Sequence, residues 1–248
     1  GALACRVAGF DAQAVLIPEP FGPTMLTAQP GVLWFRVSVR GRATHVLQAG
    51  AGANAIEKCW PLIKALRDLE AEMNREPRPG PWEAMEHPIH LNVGRIQGGD
   101  WPSTVAAEAF FEARLAFLPP TGFKDTAERI RLCVARAAVA DPWHENHPPQ
   151  VEFFGFRSKG HVVSGTPEPF RVLADCHRSL AGSAPEIYTA TCTTDLRAFF
   201  LSGPSRATCF GPVAENIHGP DERVRLDSVL YTASVYALFL ARWCGLTE

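Results

Sequence analysis

The amino-acid sequence predicts an α/β protein whose sheet-bearing domain is interrupted by a separate small domain of ferredoxin-like, βαββαβ order. Three observations carry this reading. Near the head of the chain a short apolar run, residues 14–17, ends in Pro18-Glu19-Pro20. Near the tail a second run, 207–210, ends in Gly211-Pro212, so both read as buried strands that stop at punctuated loops. Between them, from about 31 to 157, the pattern runs strand, helix, strand, strand, helix, strand, which makes a complete small domain by itself. The flanking pieces, 1–28 and 161–248, then belong to one α/β domain that accepts residues 29–160 as an insertion at a surface loop.

The elements follow in order. Residues 1–9 carry small and apolar residues at helical spacing and end in Gly9. The strand 14–17 comes next, and 22–30, with one Gly, two Pro and two Thr, reads as a linker. Val32, Phe35, Val37 and Val39 belong to a β-rich run that ends at Arg40, and 41–45 is a turn carrying His45. Ala55, Ile56, Cys59, Leu62, Ile63, Leu66 and Leu69 recur at the period of a long amphipathic helix ending near Asn74. Residues 76–88 are a Pro-rich loop, 89–94 a strand, 105–118 a longer strand, 126–140 a helix and 149–156 a last strand of the insert. Beyond it, 169–180 reads as helix, 186–191 as strand, 195–201 as a short helix, 207–210 as strand and 226–243 as the closing helix.

Bulk properties narrow the function. The chain of 248 residues is 46% hydrophobic and 20% charged, with a formal net charge of −2. That balance points away from nucleic acid and from an anionic membrane surface. Nothing approaches the run of about 20 apolar residues that crosses a bilayer. Seven cysteines, at 5, 59, 133, 176, 192, 209 and 244, are scattered and form no C-x-x-C pair. They argue against a disulfide scaffold or zinc-thiolate cluster and suit a reducing, cytoplasmic setting. Cys192 is a candidate nucleophile, weighed against service as a small core residue.

The candidate site is the loop 211–222, at the carboxyl end of the 207–210 strand, where open α/β sheets place ligands. It holds one imidazole, His218, among the carboxylates Asp221 and Glu222. Glu19 leaves the carboxyl end of the other strand. The histidine pair His144 and His147 is flanked by Pro142 and Pro148 and reads as a loop at the far end of the insert.

Several short stretches, in this order, resemble the M20 family of zinc-dependent aminoacylases, deacetylases and carboxypeptidases. They are Ile17-Pro18-Glu19-Pro20; Gly41-Arg42-Ala43-Thr44-His45; Gly52-Ala53-Asn54-Ala55-Ile56; Asn92-Val93-Gly94 with Gly98-Gly99; Thr194-Asp195; and Phe210-Gly211-Pro212 through His218-Gly219-Pro220-Asp221-Glu222. Acetylornithine deacetylase and succinyl-diaminopimelate desuccinylase typify the family. The resemblance implies that 1–28 and 161–248 are pieces of a partial zinc-hydrolase-type catalytic domain, and that 29–160 is its ferredoxin-like lid and dimerisation domain. It implies two zinc ions, with cobalt or manganese as alternatives, Glu19 binding one and His218 the other. Such ions accept carboxylate and imidazole donors, and a pair of them polarises an amide carbonyl. Asp221 or Glu222 would orient His218. His45 would reach the partner copy's site in a homodimer and steady the oxyanion. Asn92, Arg114, Arg197 and Gly211 are the substrate-binding expectations.

Departures matter as well. The family's carboxylate-binding Arg falls in the register of Ala116 here, and Arg114 lies two residues early, on the same strand face. Arg197 is the second candidate for that role, weighed against a helix-surface ion pair. The family's H-x-D motif and its Glu-Glu general base have no counterpart in the sequence, and 1–5 match the helix that follows that Glu pair. The expectation is therefore a C-terminal part of a longer enzyme, inactive by itself. The full enzyme would hydrolyse the N-acyl bond of a small carboxylate-bearing amide, an N-acyl amino acid or dipeptide-like compound. The competing class is a non-catalytic dimerisation and ligand-binding module.

Overall fold

The computed structural model describes residues 1–10, 12–78, 80–200 and 206–245. In chain order the elements are α1 (Ala2–Val7), β1 (Val15–Ile17), β2 (Thr24–Gln29), β3 (Gly31–Arg40), α2 (Ala55–Arg75), β4 (Leu91–Gly98), β5 (Glu108–Phe117), α3 (Phe123–Ala138), β6 (Gln150–Ser158), β7 (His161–Val162), α4 (Glu168–Ala181), β8 (Glu186–Thr189), β9 (Ala207–Cys209), β10 (Ala214–Glu215), β11 (Arg223–Val224) and α5 (Leu226–Cys244). They divide into two compact units, Gly1–Gln29 with His161–Glu248, and Pro30–Gly160.

The second unit is a four-stranded antiparallel sheet of order β4-β5-β3-β6. Strand alternation decides its two faces. Leu33, Phe35, Val37 and Val39 of β3 are buried, while Trp34 and Arg36 face the other way. The buried face is covered by α2 and α3. Helix α2 starts where Asn54 Oδ1 accepts from the Ile56 N–H at 3.0 Å, satisfying one of the free donors of its first turn. Cys59, Leu62, Leu66, Leu69 and Met73 then bury one stripe. Ile130 and Val134 do the same for α3.

The first unit holds a parallel pair, β1-β9, and a three-stranded sheet of order β7-β2-β8. The Thr208 hydroxyl donates to Leu26 O at 2.9 Å and joins the two. Met25, Phe170, Leu173, Phe210, Val235 and Phe239 form one core cluster between sheet and helices. Leu26, Ala190, Leu196, Ala207 and Cys209 form a second, directly beneath the strand ends that carry the site.

Three expectations need correction, and one strand went unread. Residues 24–29 are not a linker but the middle strand of the three-stranded sheet, with Met25, Leu26, Ala28 and Gln29 buried. Pro23 and Pro30 flank the strand without entering it, so the ladder keeps its donors. The loop 211–222 is not wholly irregular: its Ala214 and Glu215 form β10, which pairs with β11 just beyond it. Strand β7, only two residues long, had no periodic signal. The Pro-rich loop carries a 3-10 turn, Gly80–Trp82, whose Trp82 is fully buried.

Candidate functional site

Parallel pairing sets the site. Val15, Leu16 and Ile17 pair with Ala207, Thr208 and Cys209, so β1 and β9 end at the same edge. The two chains continue side by side beyond it. Phe210 N donates to Ile17 O at 3.1 Å, Gly22 N to Pro212 O at 2.9 Å, and Gly211 N to Gly22 O at 3.2 Å. Phe21 bridges Val213. Gly211 passes so close to the first loop that a Cβ on it would stand 2.0 Å from Glu19 O. Glycine is required there by backbone approach, not by a positive φ. Tyr236 of α5 donates its hydroxyl to Phe210 O at 2.6 Å and fixes the strand end from behind.

Glu19 leaves this edge, and its carboxylate lies within electrostatic reach of the Asp195 backbone N–H, the Asp195 carboxylate and His218. Burial is the main cause that raises the Glu19 pKa above its ordinary value, and the Asp195 charge adds to it; the Asp195 N–H and His218 pull it back. The groups in reach of one another are thus two carboxylates and an imidazole, with the Arg197 guanidinium beside Asp195. That combination fits a divalent cation, because a cation removes the like-charge penalty and accepts both oxygen and nitrogen.

Each member has a local cause. Asp195 begins a 3-10 turn, Asp195–Ala198, capped by Thr194 Oγ1, which accepts from Leu196 N at 3.2 Å. Gln29, fully buried at the end of β2, holds that cap: its Oε1 accepts from Thr194 N at 3.0 Å and from Thr194 Oγ1 at 2.7 Å. Its Nε2 donates to Thr193 Oγ1 at 3.2 Å. His218 sits on the turn between β10 and β11, exposed, at φ 61°, with Asn216 at 54° and Asp221 at 57°. Three left-handed non-glycine residues in six are uncommon, and such backbone concentrates at functional loops. Gly219 N donates to Asn216 O at 2.7 Å, and Val213 N to Ser228 Oγ at 2.9 Å, which anchors the hairpin base to α5. Asp221 and Glu222 are exposed on the same turn. Arg197 lies with Nη2 3.6 Å from Asp195 Oδ1, an ion pair within the 3-10 turn. Asp195 and Gln29 are the residues that sequence reasoning did not assign. Thr194-Asp195 stood among the matching stretches, whereas Gln29 gave no signal.

Cysteine chemistry at this edge is disfavoured. Burial pushes the Cys209 thiol up to about 12, and Cys192 packs against the core beneath the strand ends.

The remaining candidates lie in the second unit. His45 caps a 3-10 helix, Val46–Ala51, its Nδ1 accepting from Leu47 N at 3.1 Å. A neutral ring in that role carries its proton on Nε2, as an exposed donor. Asn92 and Arg114 are cross-strand partners on the open face of the sheet. With Trp34, Arg95, Glu112 and Phe154 they line a cleft of about 270 Å³. Ala116, in the family's Arg register, is fully buried opposite Val32. His144 and His147 are structural: His144 Nδ1 meets His147 O at 3.1 Å, and the His147 ring stacks on Trp143 at 4.0 Å.

Residues 27–142 match the family model of the M20 peptidase dimerisation domain. That stretch is therefore similar to the dimerisation domain of the M20 peptidases. Over its whole length it is 24% identical to an N-formyl-4-amino-5-aminomethyl-2-methylpyrimidine deformylase of Halalkalibacterium halodurans, covering 62% of that protein. Its fold is that of a di-peptidase, Dug1p, from Saccharomyces cerevisiae, with TM-score 0.72 at 12% identity, over 98% of this chain and 61% of that one. It is also that of an M20 family metallo-carboxypeptidase from Sulfolobus solfataricus, with TM-score 0.66 at 14% identity, over 92% and 62%. The chain therefore spans about three fifths of the length of these relatives. The M20 resemblance read from short motifs agrees with the fold, a mixed helix and strand architecture with an M20 dimerisation unit inserted.

Proposed function

We propose that the protein is a metal-dependent hydrolase of N-acyl (amide) bonds in a small carboxylate-bearing substrate, and that it works as a homodimer through residues 30–160. The single observation that supports this reading is the shared carboxyl edge of β1 and β9, from which Glu19 leaves with Asp195 and His218 in its electrostatic reach. Glu19 and His218 are the proposed ligands, with zinc as the ion. When bound, the ion supplies Lewis acidity toward the amide carbonyl and lowers the pKa of water. The Asp195 backbone N–H favours the charged form of Glu19, and Arg197 offsets the Asp195 charge. Asn92 and Arg114 hold the substrate carboxylate, Arg114 by a forked charge-assisted contact. The partner copy's His45 donates from Nε2 to the oxygen that gains charge as the carbonyl is attacked. Asp221 or Glu222 steadies the His218 ring. Glu19 and His218 are only part of a two-ion ligand set, since the sequence contains no H-x-D.

The test measures metal content and turnover of N-acyl amino acids and dipeptides in the parent, Glu19→Gln and His218→Ala. Both variants are expected to lose metal and turnover. Unchanged metal content and rate would contradict the ligand assignment. The cleft around Asn92 and Arg114 also favours a second reading, a non-catalytic ligand-binding module. That reading predicts carboxylate-ligand binding without metal-dependent turnover.

A further inference from the structure

Among the described residues, one group of three metal-ligating side chains has donor atoms that converge, and it lies within the dimerisation unit, apart from the sheet edge of β1 and β9. Glu70 projects from α2, and His87 and His90 stand in the segment leading into β4. One ring nitrogen from each histidine and one Glu70 carboxylate oxygen all lie within 4.8 Å of one another. The frame around them is built by backbone clamps. Asn74, one turn beyond Glu70, donates to Ile89 O at 2.8 Å and accepts from Ile89 N at 3.0 Å. Glu70 Oε1 accepts from Leu91 N at 2.7 Å, and Oε2 accepts from Arg67 Nη1 at 3.0 Å. Both histidines are thereby held over one buried carboxylate.

We infer that Glu70, His87 and His90 form a second site for a divalent transition metal of the zinc type, which ties residues 87–90 to α2. Two imidazoles and one carboxylate are a known kind of zinc donor set, with the fourth position left to water. Metal–ligand lengths of about 2.0–2.1 Å put tetrahedral ligands about 3.4 Å apart. His87 Nε2 is already 3.4 Å from Glu70 Oε1. The donor atoms need draw together by no more than about 1.4 Å, from the 4.8 Å limit to the tetrahedral spacing, and His87, with its side chain 49% exposed, is free to adjust while Glu70 stays in its clamp. A carboxylate oxygen has two lone pairs, so Oε1 can keep the Leu91 N–H and face the ion with the other. The Arg67 guanidinium on Oε2 works against a hard cation that relies on charge. Imidazole donors instead select zinc, nickel or copper over magnesium or calcium.

The experiment titrates Zn²⁺ and Co²⁺ into the full chain carrying His218→Ala, which removes the sheet-edge ligand, and follows binding by calorimetry and by Co²⁺ absorption. About one equivalent is expected to bind. Adding His87→Ala or His90→Ala should weaken binding by about 100-fold or more, with the metal-free far-ultraviolet circular dichroism unchanged. Metal should raise the melting temperature of the background and not of the two histidine variants. Zinc-edge X-ray absorption on the background protein needs no further substitution and should show two imidazoles. Equal affinity with and without His87 and His90, no binding by the background, or a zinc shell without imidazole would each overturn the assignment.

Discussion

Gly211→Ala probes the geometry of the sheet edge most sharply. The added Cβ would stand 2.0 Å from Glu19 O, 2.7 Å from Glu19 C and 2.8 Å from Pro18 C. Every one of these atoms is backbone, so no side chain can swing away. Real Cβ contacts essentially never fall below 3.0 Å, and the two strand ends must part by at least about 1 Å. Parting strains the Gly211 N to Gly22 O and Gly22 N to Pro212 O hydrogen bonds. Overpacking typically costs about 1–3 kcal/mol, and each weakened hydrogen bond about 0.5–1.5 kcal/mol. A loss of about 3 kcal/mol is expected, which for a chain of this size lowers the melting temperature by about 6–12 °C. Because the displaced atom is the Glu19 carbonyl, metal affinity at the sheet edge should fall as well. Calorimetry and differential scanning fluorimetry on parent and variant make the check. A variant that melts within about 2 °C of the parent and binds metal equally would refute the close-approach argument.

Other expectations follow the same logic. Gln29→Leu leaves the buried Thr194 N–H without its acceptor and should cost about 2–4 kcal/mol in urea unfolding; a change under about 0.5 kcal/mol would show that the 193–195 turn holds itself. The raised Glu19 pKa means that the fold favours its protonated form, so its contribution is fullest below the unfolded carboxylate value and declines as pH rises through the folded one. Metal-free Glu19→Gln should therefore melt no lower than the parent at pH 7 while losing metal binding, and its advantage should shrink on acidification; a variant that is less stable at neutral pH would contradict this. His45→Ala removes an exposed cap and should cost only about 1 kcal/mol of stability, yet lower kcat by about 100-fold or more with KM little changed. A rise in KM with kcat unchanged would instead assign His45 to ground-state binding.

The sequence carried the strands and helices whose pattern repeats, and it missed what depends on distant partners. Helices α2, α3 and α5 each repeat an apolar stripe over several turns, and β1 and β9 are apolar runs closed by Pro and Gly, so their signals are local. Strand β2 was hidden because Pro23 and Pro30 bracket a stretch of mixed Thr, Ala and Gln, and its burial comes from strands far away in the chain. Two-residue strands such as β7, β10 and β11 have no period to detect. Of the proposed site, Glu19 and His218 stood out because a strand end and a Gly- and Pro-punctuated loop mark them, and Gly211 through the family resemblance. Gln29 was not, since its bond to Thr193 spans 164 positions and an isolated Gln before Pro30 carries no pattern. Gly211 shows the same division: its position beyond β9 was legible, but the reason it must be glycine, the passage of the Glu19 carbonyl, belongs to the tertiary structure.

The central claim is that a carboxylate from the head of the chain, Glu19, and an imidazole from its tail, His218, each hold one ion of a shared two-metal centre. Crystals grown with excess Zn²⁺ and measured at the zinc edge test it directly. The account predicts a pair of anomalous peaks, one at bonding distance, about 2.0–2.2 Å, from a Glu19 carboxylate oxygen and one at the same distance from a His218 ring nitrogen. Zinc bound elsewhere in the molecule, with Glu19 and His218 bare, would contradict it.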